Sequence, residues 1–419
     1  MGPPGLSGEV EAKDDKKPKH RRPRRGWRVA ALVAAGLVVA AAGGVAARAA
    51  TESIPPPRTV VRLTSTVRAP GHAAALAWPS SGEAALATSS GKLIGSSGPG
   101  QPVPIASVAK VMTAYLVLQD HPLTAGSQGF SFTITPAEAA TLPARIAQDE
   151  SLVAVHAGQV LTERAALQAM LLPSADNIAD DVATFDAGSL AGFVARMNQQ
   201  AATMGMAHTH FADASGLDKA TVSTPTDLLA LARAAMAIPA FAAIVAEPSA
   251  TVAGLGQLKN YNTLVGTDGF TGVKTGSTLA AGQALMFSVS RPVAGRSVDM
   301  VGVVLEQHGP GVVGGATQAA RSLADSFYGQ LKLRTVLPAG TTVATVSRLG
   351  RSATLDTARP LQLVTLPGVT LRLAVTVDPS PRYRSARVRT ASAFGTDQTG
   401  TNTWVVPRAG LDWRLSHLL

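Results

Sequence analysis

The run PIASVAKVMTAYLVLQD, residues 104 to 120, sets a serine and a lysine at the mouth of an otherwise apolar helix. Ser107 and Lys110 stand three apart, so both side chains fall on one helical face. Behind them Val111, Met112, Ala114, Tyr115, Leu116, Val117 and Leu118 carry the helix into a core. A hydroxyl in a first turn can serve simply as a cap. The lysine asks for more, because an unpaired ammonium in apolar surroundings is costly and burial lowers its pKa. An amine that is neutral part of the time can take the proton of a neighbouring serine. By itself, S-x-x-K occurs by chance in many chains.

Two more polar islands interrupt apolar sequence downstream. Residues 162 to 172 show a helical pattern, with Ala166 and Met170 on one face and Leu167 and Leu171 beside them, that breaks at Pro173. Ser174-Ala175-Asp176-Asn177 follows at once, ahead of Ile178, Ala179, Val182 and Phe185. Such a tetrad either caps the next helix, with Asp176 and Asn177 in its first turn, or lines a cleft. Local sequence leaves both open. The third island is DGFTGVKTGSTL, residues 268 to 279. Phe270 to Val273 lead into Lys274-Thr275-Gly276-Ser277, and 280–289 and 298–305 read as further strands. Lys274 can be an edge charge, and Gly276 allows another backbone, such as a substrate's, to come close.

A chain of 419 residues with 46% apolar content has room for two or three folded domains. It has no cysteine, which excludes disulfides, thiolate metal ligands and cysteine nucleophiles. The formal charge of +10 raises the question of nucleic acid. Yet about half of that excess lies before residue 29, in Lys13, Lys16, Lys17, Lys19 and the arginines that follow, and a later cluster joins Arg382, Arg384, Arg387 and Arg389. Neither region interleaves aromatics for base stacking, so no nucleic-acid partner is expected. His208 and His210 alternate as two ligands would on a strand, but only Asp213 follows at metal-site spacing, and no metal site is assigned.

Taken together, the islands resemble a known set. A serine and lysine one turn apart, a helix-breaking S-x-D/N tetrad 67 residues later and K-T-G 100 residues beyond that follow the order of penicillin-binding proteins and β-lactamases. PIASVAKVMTA, MLLPSADN, MAHTHFADASGLD, STPTDLLALA and DGFTGVKTGST are similar to the recurring blocks of the low-molecular-weight D-alanyl-D-alanine carboxypeptidases. The resemblance spans about 76–331. It implies an α/β fold, an antiparallel sheet flanked by helices with an all-helical subdomain. It also implies a serine peptidase acting without a cofactor on peptidoglycan stem peptides ending in D-Ala-D-Ala, with β-lactams as covalent inhibitors.

By the same resemblance Ser107 is the nucleophile, Lys110 its proton acceptor and Ser174 the relay to the leaving amine. Lys274 and Thr275 hold the substrate carboxylate, next to Gly276, and the Ser277 and Ser107 N–H groups form the oxyanion hole. Asp176 stands where the family usually has Asn. Either the amide is displaced to Asn177 or the carboxylate does its job, and the departure bears on both the substrate-backbone contact and the tuning of Lys110. A class A β-lactamase is disfavoured, since no Glu-containing loop stands out between Ser174 and Lys274. A wall-binding protein that kept the fold and lost turnover is the other alternative.

The flanks complete the domain plan. After a basic tail, 1–28, the uncharged run 29–47 is long enough to cross a membrane and follows positive charge, so the remainder is expected outside the cytoplasm. It is either a single-pass anchor or a cleaved signal segment. Residues 48–75, opening on Pro55-Pro56-Pro57, read as an extracytoplasmic spacer. Ala84–Ala87 and Lys92–Gly95 read as a hairpin turning at Ser90-Gly91. Capped helix starts are expected at Thr135-Pro136 and Thr224-Pro225 and a helix over 191–204, with short extended pieces at 150–155 and 158–161. A helix over 314–331 closes the catalytic domain, and 332–419 read as a small β domain. The final residues, 413–419, are too short for an amphipathic anchor.

Overall fold

The apolar runs 284–289 and 300–305 are buried on both faces, as strands sandwiched between two helical layers must be. They belong to a five-stranded antiparallel sheet ordered Phe270–Thr278, Gly282–Val293, Arg296–Gln307, Glu83–Thr88, Leu93–Ser97. The computed structural model describes residues 25–392 and 394–408. The hairpin expected at 84–95 forms the last two strands. On one face lies the helix Gly314–Tyr328, packing Ala316, Ala320, Leu323 and Phe327 against Leu285, Phe287 and Val304. Tyr328 finishes that helix by donating its hydroxyl to the Val289 and Val298 carbonyls at 3.0 and 2.7 Å. Burial of one such Phe or Leu contributes about 1.5–3 kcal/mol.

The opposite face carries the helical subdomain. Its helices start where polar caps stand in the sequence. Thr162 accepts from the Ala165 N–H and opens Glu163–Leu171, and Thr224 accepts from the Asp227 N–H and opens Pro225–Met236. Thr135 and Glu138 form a reciprocal capping box. Ser189 opens the helix Leu190–Thr203. The pieces at 150–161 differ from expectation. Val160–Thr162 pairs with Ser131–Thr133, whereas 150–155 makes no strand and turns inward instead.

The stretch 48–75 is more than a spacer. Arg58–Val61 pairs with Thr342–Arg348, which pairs in turn with Arg351–Asp356. Thr66–Arg68 adds to the sheet of Thr370–Val377, Ala386–Ser392 and Gly395–Gly400. The C-terminal β unit therefore has a core of Val343, Val346, Leu355, Leu363, Leu371 and Val388, and it is built from both ends of the chain. Before it, Arg25–Thr51 is one helix, longer than the run 29–47, and it is long and apolar enough to cross a membrane, with Leu32, Leu37 and Val38 exposed. The tail 1–24 and residues 409–419 lie outside the described residues.

Candidate active site

Ser107 sits in a 3-10 turn, Ala106–Ala109, that leads directly into the α-helix Lys110–Asp120. Ala106 holds a left-handed φ of 48° immediately before the serine, and Ser174 one of 68°. Such conformations in non-glycine residues cost about 1–3 kcal/mol and persist where their surroundings enforce them. The edge strand Phe270–Thr278 lies hard against the serine turn. A Cβ on Gly276 would meet the Ile105 carbonyl at 2.9 Å and the Ser107 nitrogen at 3.2 Å. On the side where a Cβ would stand, the room that Gly276 leaves is taken by the chain's own serine turn.

The Lys110 side chain is fully buried, and its Nζ reaches three acceptors. It donates to Ser107 Oγ at 2.8 Å, to Asp176 Oδ1 at 2.5 Å and to the Ser215 carbonyl at 2.9 Å. Three acceptors match the three hydrogens of an ammonium. A charge this deep needs that satisfaction, because breaking a buried pair costs about 3–5 kcal/mol.

Asp176 opens the helix Asp176–Ala187 and uses its other oxygen to accept from the Ser151 N–H at 3.0 Å. Both carboxylate oxygens are therefore engaged inside the protein. Of the two roles this position bears on, the structure displays the one toward Lys110: Asp176 is its ion-pair partner. The expectation for Asn177 is corrected. Its amide accepts from the Val153 N–H at 3.2 Å and donates to the Val153 carbonyl at 3.0 Å, so it clamps backbone instead of replacing the missing asparagine. The capping alternative for Ser174 also falls, because the N-cap position is Ala175 and no side chain caps that helix. Ser174 is buried, two residues ahead of the Lys110 partner.

Lys274 is buried on the edge strand and donates to the Thr275 carbonyl at 2.9 Å. Its pKa lies well below the usual lysine value, first because burial disfavours the charged form and second because Lys110 is a like charge nearby. Asp176 opposes both. Two lysines thus share one carboxylate. Thr275 is buried beside Lys274, and Ser277 is exposed at the strand's end. The segment after Asp149 braces the carboxylate from behind. Arg145 bridges Glu150 and Asp180, and the Asp176 N–H donates to the Ser151 carbonyl at 2.7 Å.

Ser151, Ser215 and Gly216 were missed in the sequence, where 150–155 read as extended. The only signal was the glycine. Gly216 has φ +83°, and a Cβ there would fall 1.8 Å from the Ala106 carbonyl oxygen. The loop can bring the Ser215 carbonyl to Lys110 only because that Cβ is absent. Gly216→Ala is expected to lower stability by about 2–4 kcal/mol through overpacking and strain. Displacing Ser215 should also slow serine acylation about 100-fold. Thermal melts and the rate of labelling by a fluorescent penicillin check the two effects separately.

A serine and a lysine in contact, a second buried lysine on the sheet's edge strand and a helical subdomain facing them define the penicillin-recognising class of serine enzymes. The chain belongs to the D-alanyl-D-alanine carboxypeptidase family, whose sequence profile matches residues 74–309. It is similar to a D-alanyl-D-alanine carboxypeptidase of Mycobacterium tuberculosis, 32% identical over 217 residues covering 49% of this chain and 69% of that protein. A D-alanyl-D-alanine carboxypeptidase of a Streptomyces species is 31% identical, over 48% of this chain and 71% of its own. Among solved structures, a penicillin-binding protein homologue from M. tuberculosis superimposes with a TM-score of 0.53 at 29% identity, covering 62% of this chain and 96% of that one. A Streptomyces DD-transpeptidase shares the fold at a TM-score of 0.52 and 24% identity, covering 62% and 100%.

Proposed function

We propose that the chain is a serine-type D-alanyl-D-alanine carboxypeptidase that trims peptidoglycan stem peptides and is held at the membrane by the helix Arg25–Thr51. The observation that carries this reading is the buried contact of Lys110 Nζ with Ser107 Oγ at 2.8 Å. In its neutral form Lys110 takes the hydroxyl proton as Ser107 Oγ attacks the carbonyl between the two D-alanines. The N–H groups of Ser107 and Ser277 hold the oxyanion. Ser174 passes the proton to the departing D-alanine nitrogen as the C–N bond breaks. Lys274 and Thr275 hold the terminal carboxylate. Water then hydrolyses the acyl ester, returning Ser107. β-Lactams mimic the terminal dipeptide and acylate the same oxygen.

A second reading has support from one feature. Three oxygens surround Lys110 Nζ and hold it in place, a geometry that suits a penicillin-binding protein that acylates slowly and turns over little. Release of free D-alanine from a synthetic pentapeptide, followed by mass spectrometry of the tetrapeptide product, decides between them. Catalytic release supports the carboxypeptidase. Penicillin acylation with no D-alanine above the uncatalysed rate would leave only the second reading.

A further inference from the structure

Charge divides this chain sharply. Residues 76–331 carry twelve Lys/Arg against eighteen Asp/Glu, whereas 332–408 carry eleven against three. The acidic excess of the catalytic domain and the basic excess of the β unit are therefore separate properties of separate bodies of sequence. The β unit is also the part tied to the helix. Only six residues, 52–57, separate Thr51 from the strand Arg58–Val61, which limits the gap to about 20 Å even when fully extended.

The contacts at that junction identify which end of the β unit faces the helix. Arg348 Nε donates to the Pro55 carbonyl at 3.0 Å, and its Nη1 donates to the Pro407 carbonyl at 3.2 Å. Arg348 and Arg351 pair across the hairpin tip Leu349-Gly350, and Arg58 pairs with the adjacent Ser347. From Pro407 the chain leads to Val406, whose N–H donates to the Arg382 carbonyl at 3.0 Å. Arg58, Arg351, Arg382 and Arg408 are exposed there. Beside them Tyr383 pairs with Val405 and Arg384 with Trp404, and Val405 is 75% exposed. The acidic residues are mostly committed elsewhere. Asp356 accepts from the Thr342 and Thr354 hydroxyls at the end of its strand beside Asn402, and Asp397 pairs with Arg296 of the catalytic domain. Glu52 and Asp378 are the acidic groups near this end.

We infer that this arginine collar, with Tyr383 and Val405, docks the β unit onto the anionic phospholipid headgroups of the membrane that the helix enters. Arginine guanidinium groups pair with lipid phosphates bidentately, and amphipathic aromatics settle at headgroup depth. Polybasic segments beside a membrane helix gain attraction from anionic lipid over about a Debye length. The short tether supplies the high effective concentration that turns weak contacts into docking. Docked this way, the β unit is a pedestal with a fixed foot, and the acidic catalytic domain is kept off the anionic surface. The inference rests on the membrane-spanning reading of the helix and is independent of the peptidase chemistry.

The absence of cysteine makes the test clean, because T403C introduces a unique thiol at an exposed position beside Trp404. The full chain, labelled there with a donor dye, is reconstituted into nanodiscs of phosphatidylcholine with acceptor-labelled lipid, with or without phosphatidylglycerol. Energy transfer is expected to rise about twofold with about 30 mol% anionic lipid and to fall back in about 0.5 M salt. R351E/R382E/R408E should abolish the rise, and R372E/R387E/R389E, on the outer face of the four-stranded sheet, should leave it. Equal transfer in both lipids overturns the docking, and so does an equal loss from both triple variants, which would indicate net charge alone. Displacement by a soluble glycerol-phosphate polymer, with the dye moving away from anionic discs, would assign the collar to a wall polymer and overturn the lipid assignment. Failure of the chain to co-purify with either disc would overturn the membrane-spanning reading and the docking with it, leaving the peptidase reading untouched.

Discussion

Ser107→Ala is expected to abolish the covalent penicillin adduct and to lower D-alanine release about 10⁴-fold or more, the scale seen when a covalent nucleophile is removed. The loss should be nearly pure chemistry. Without the hydroxyl, Lys110 keeps Asp176 and the Ser215 carbonyl as acceptors, so the buried ammonium stays paired. Losing one neutral acceptor then costs about 1 kcal/mol of stability. Intact-protein mass spectrometry after penicillin treatment checks the first half: the parent protein gains one penicillin mass on the peptide containing Ser107 and the variant gains none. A calorimetric melt checks the second. An adduct of undiminished yield on the variant would place the reactive oxygen elsewhere and undo the roles given to Lys110 and Lys274 together. Residual binding without an adduct is expected, because the strand carrying Lys274 and Thr275 is untouched.

What could be read in advance divides along physical lines. Thr162, Thr224 and the Thr135–Glu138 box announce helix starts because a cap is satisfied by backbone two or three residues away. The strands around Leu285–Val289 and Val301–Leu305 announce themselves because burial on both faces leaves an unbroken apolar run. The pairing of Arg58–Val61 with a strand nearly three hundred residues later had no comparable signal. It is four residues long, without alternation, and follows three prolines that read as a linker. The polar tetrad shows the same limit at closer range. Sequence could place Ser174, Asp176 and Asn177 near a helix start, but which of them looks at Lys110 depends on Ser151 and Val153 arriving from another segment. Asn177 satisfies backbone and Asp176 meets the lysine, the reverse of the assignment in which the amide slips by one position.

Asp176→Asn is expected to move the acid limb of the acylation pH profile to lower pH, because a close opposite charge favours the protonated amine. At neutral pH the acylation rate should rise about tenfold or more. The sign follows from the cluster. Burial and the charge on Lys110 already hold Lys274 well below the usual lysine value, and Asp176 is the group that pulls the other way. Deleting its charge leaves two buried lysines without the carboxylate they share, so the pair sheds a proton at lower pH and a neutral amine becomes available to Ser107 sooner. Glu150 and Asp180, neutralised in part by Arg145, stand behind the site with Asp181 beside them, and Asp213 accepts from the Ser215 hydroxyl. An Asn side chain fits the same space: its oxygen can accept from the Ser151 N–H while its NH₂ donates to a neutral Lys110 nitrogen, which an ammonium could not accept. The variant should accordingly lose more stability as the pH falls and the two buried amines gain protons without a carboxylate between them, and lose less as the pH rises. Stopped-flow acylation by a chromogenic cephalosporin between about pH 5 and 10 gives the profile. If the rate instead drops at every pH with the limb in place, Asp176 acts as the proton acceptor itself, and the lysine serves to position the hydroxyl.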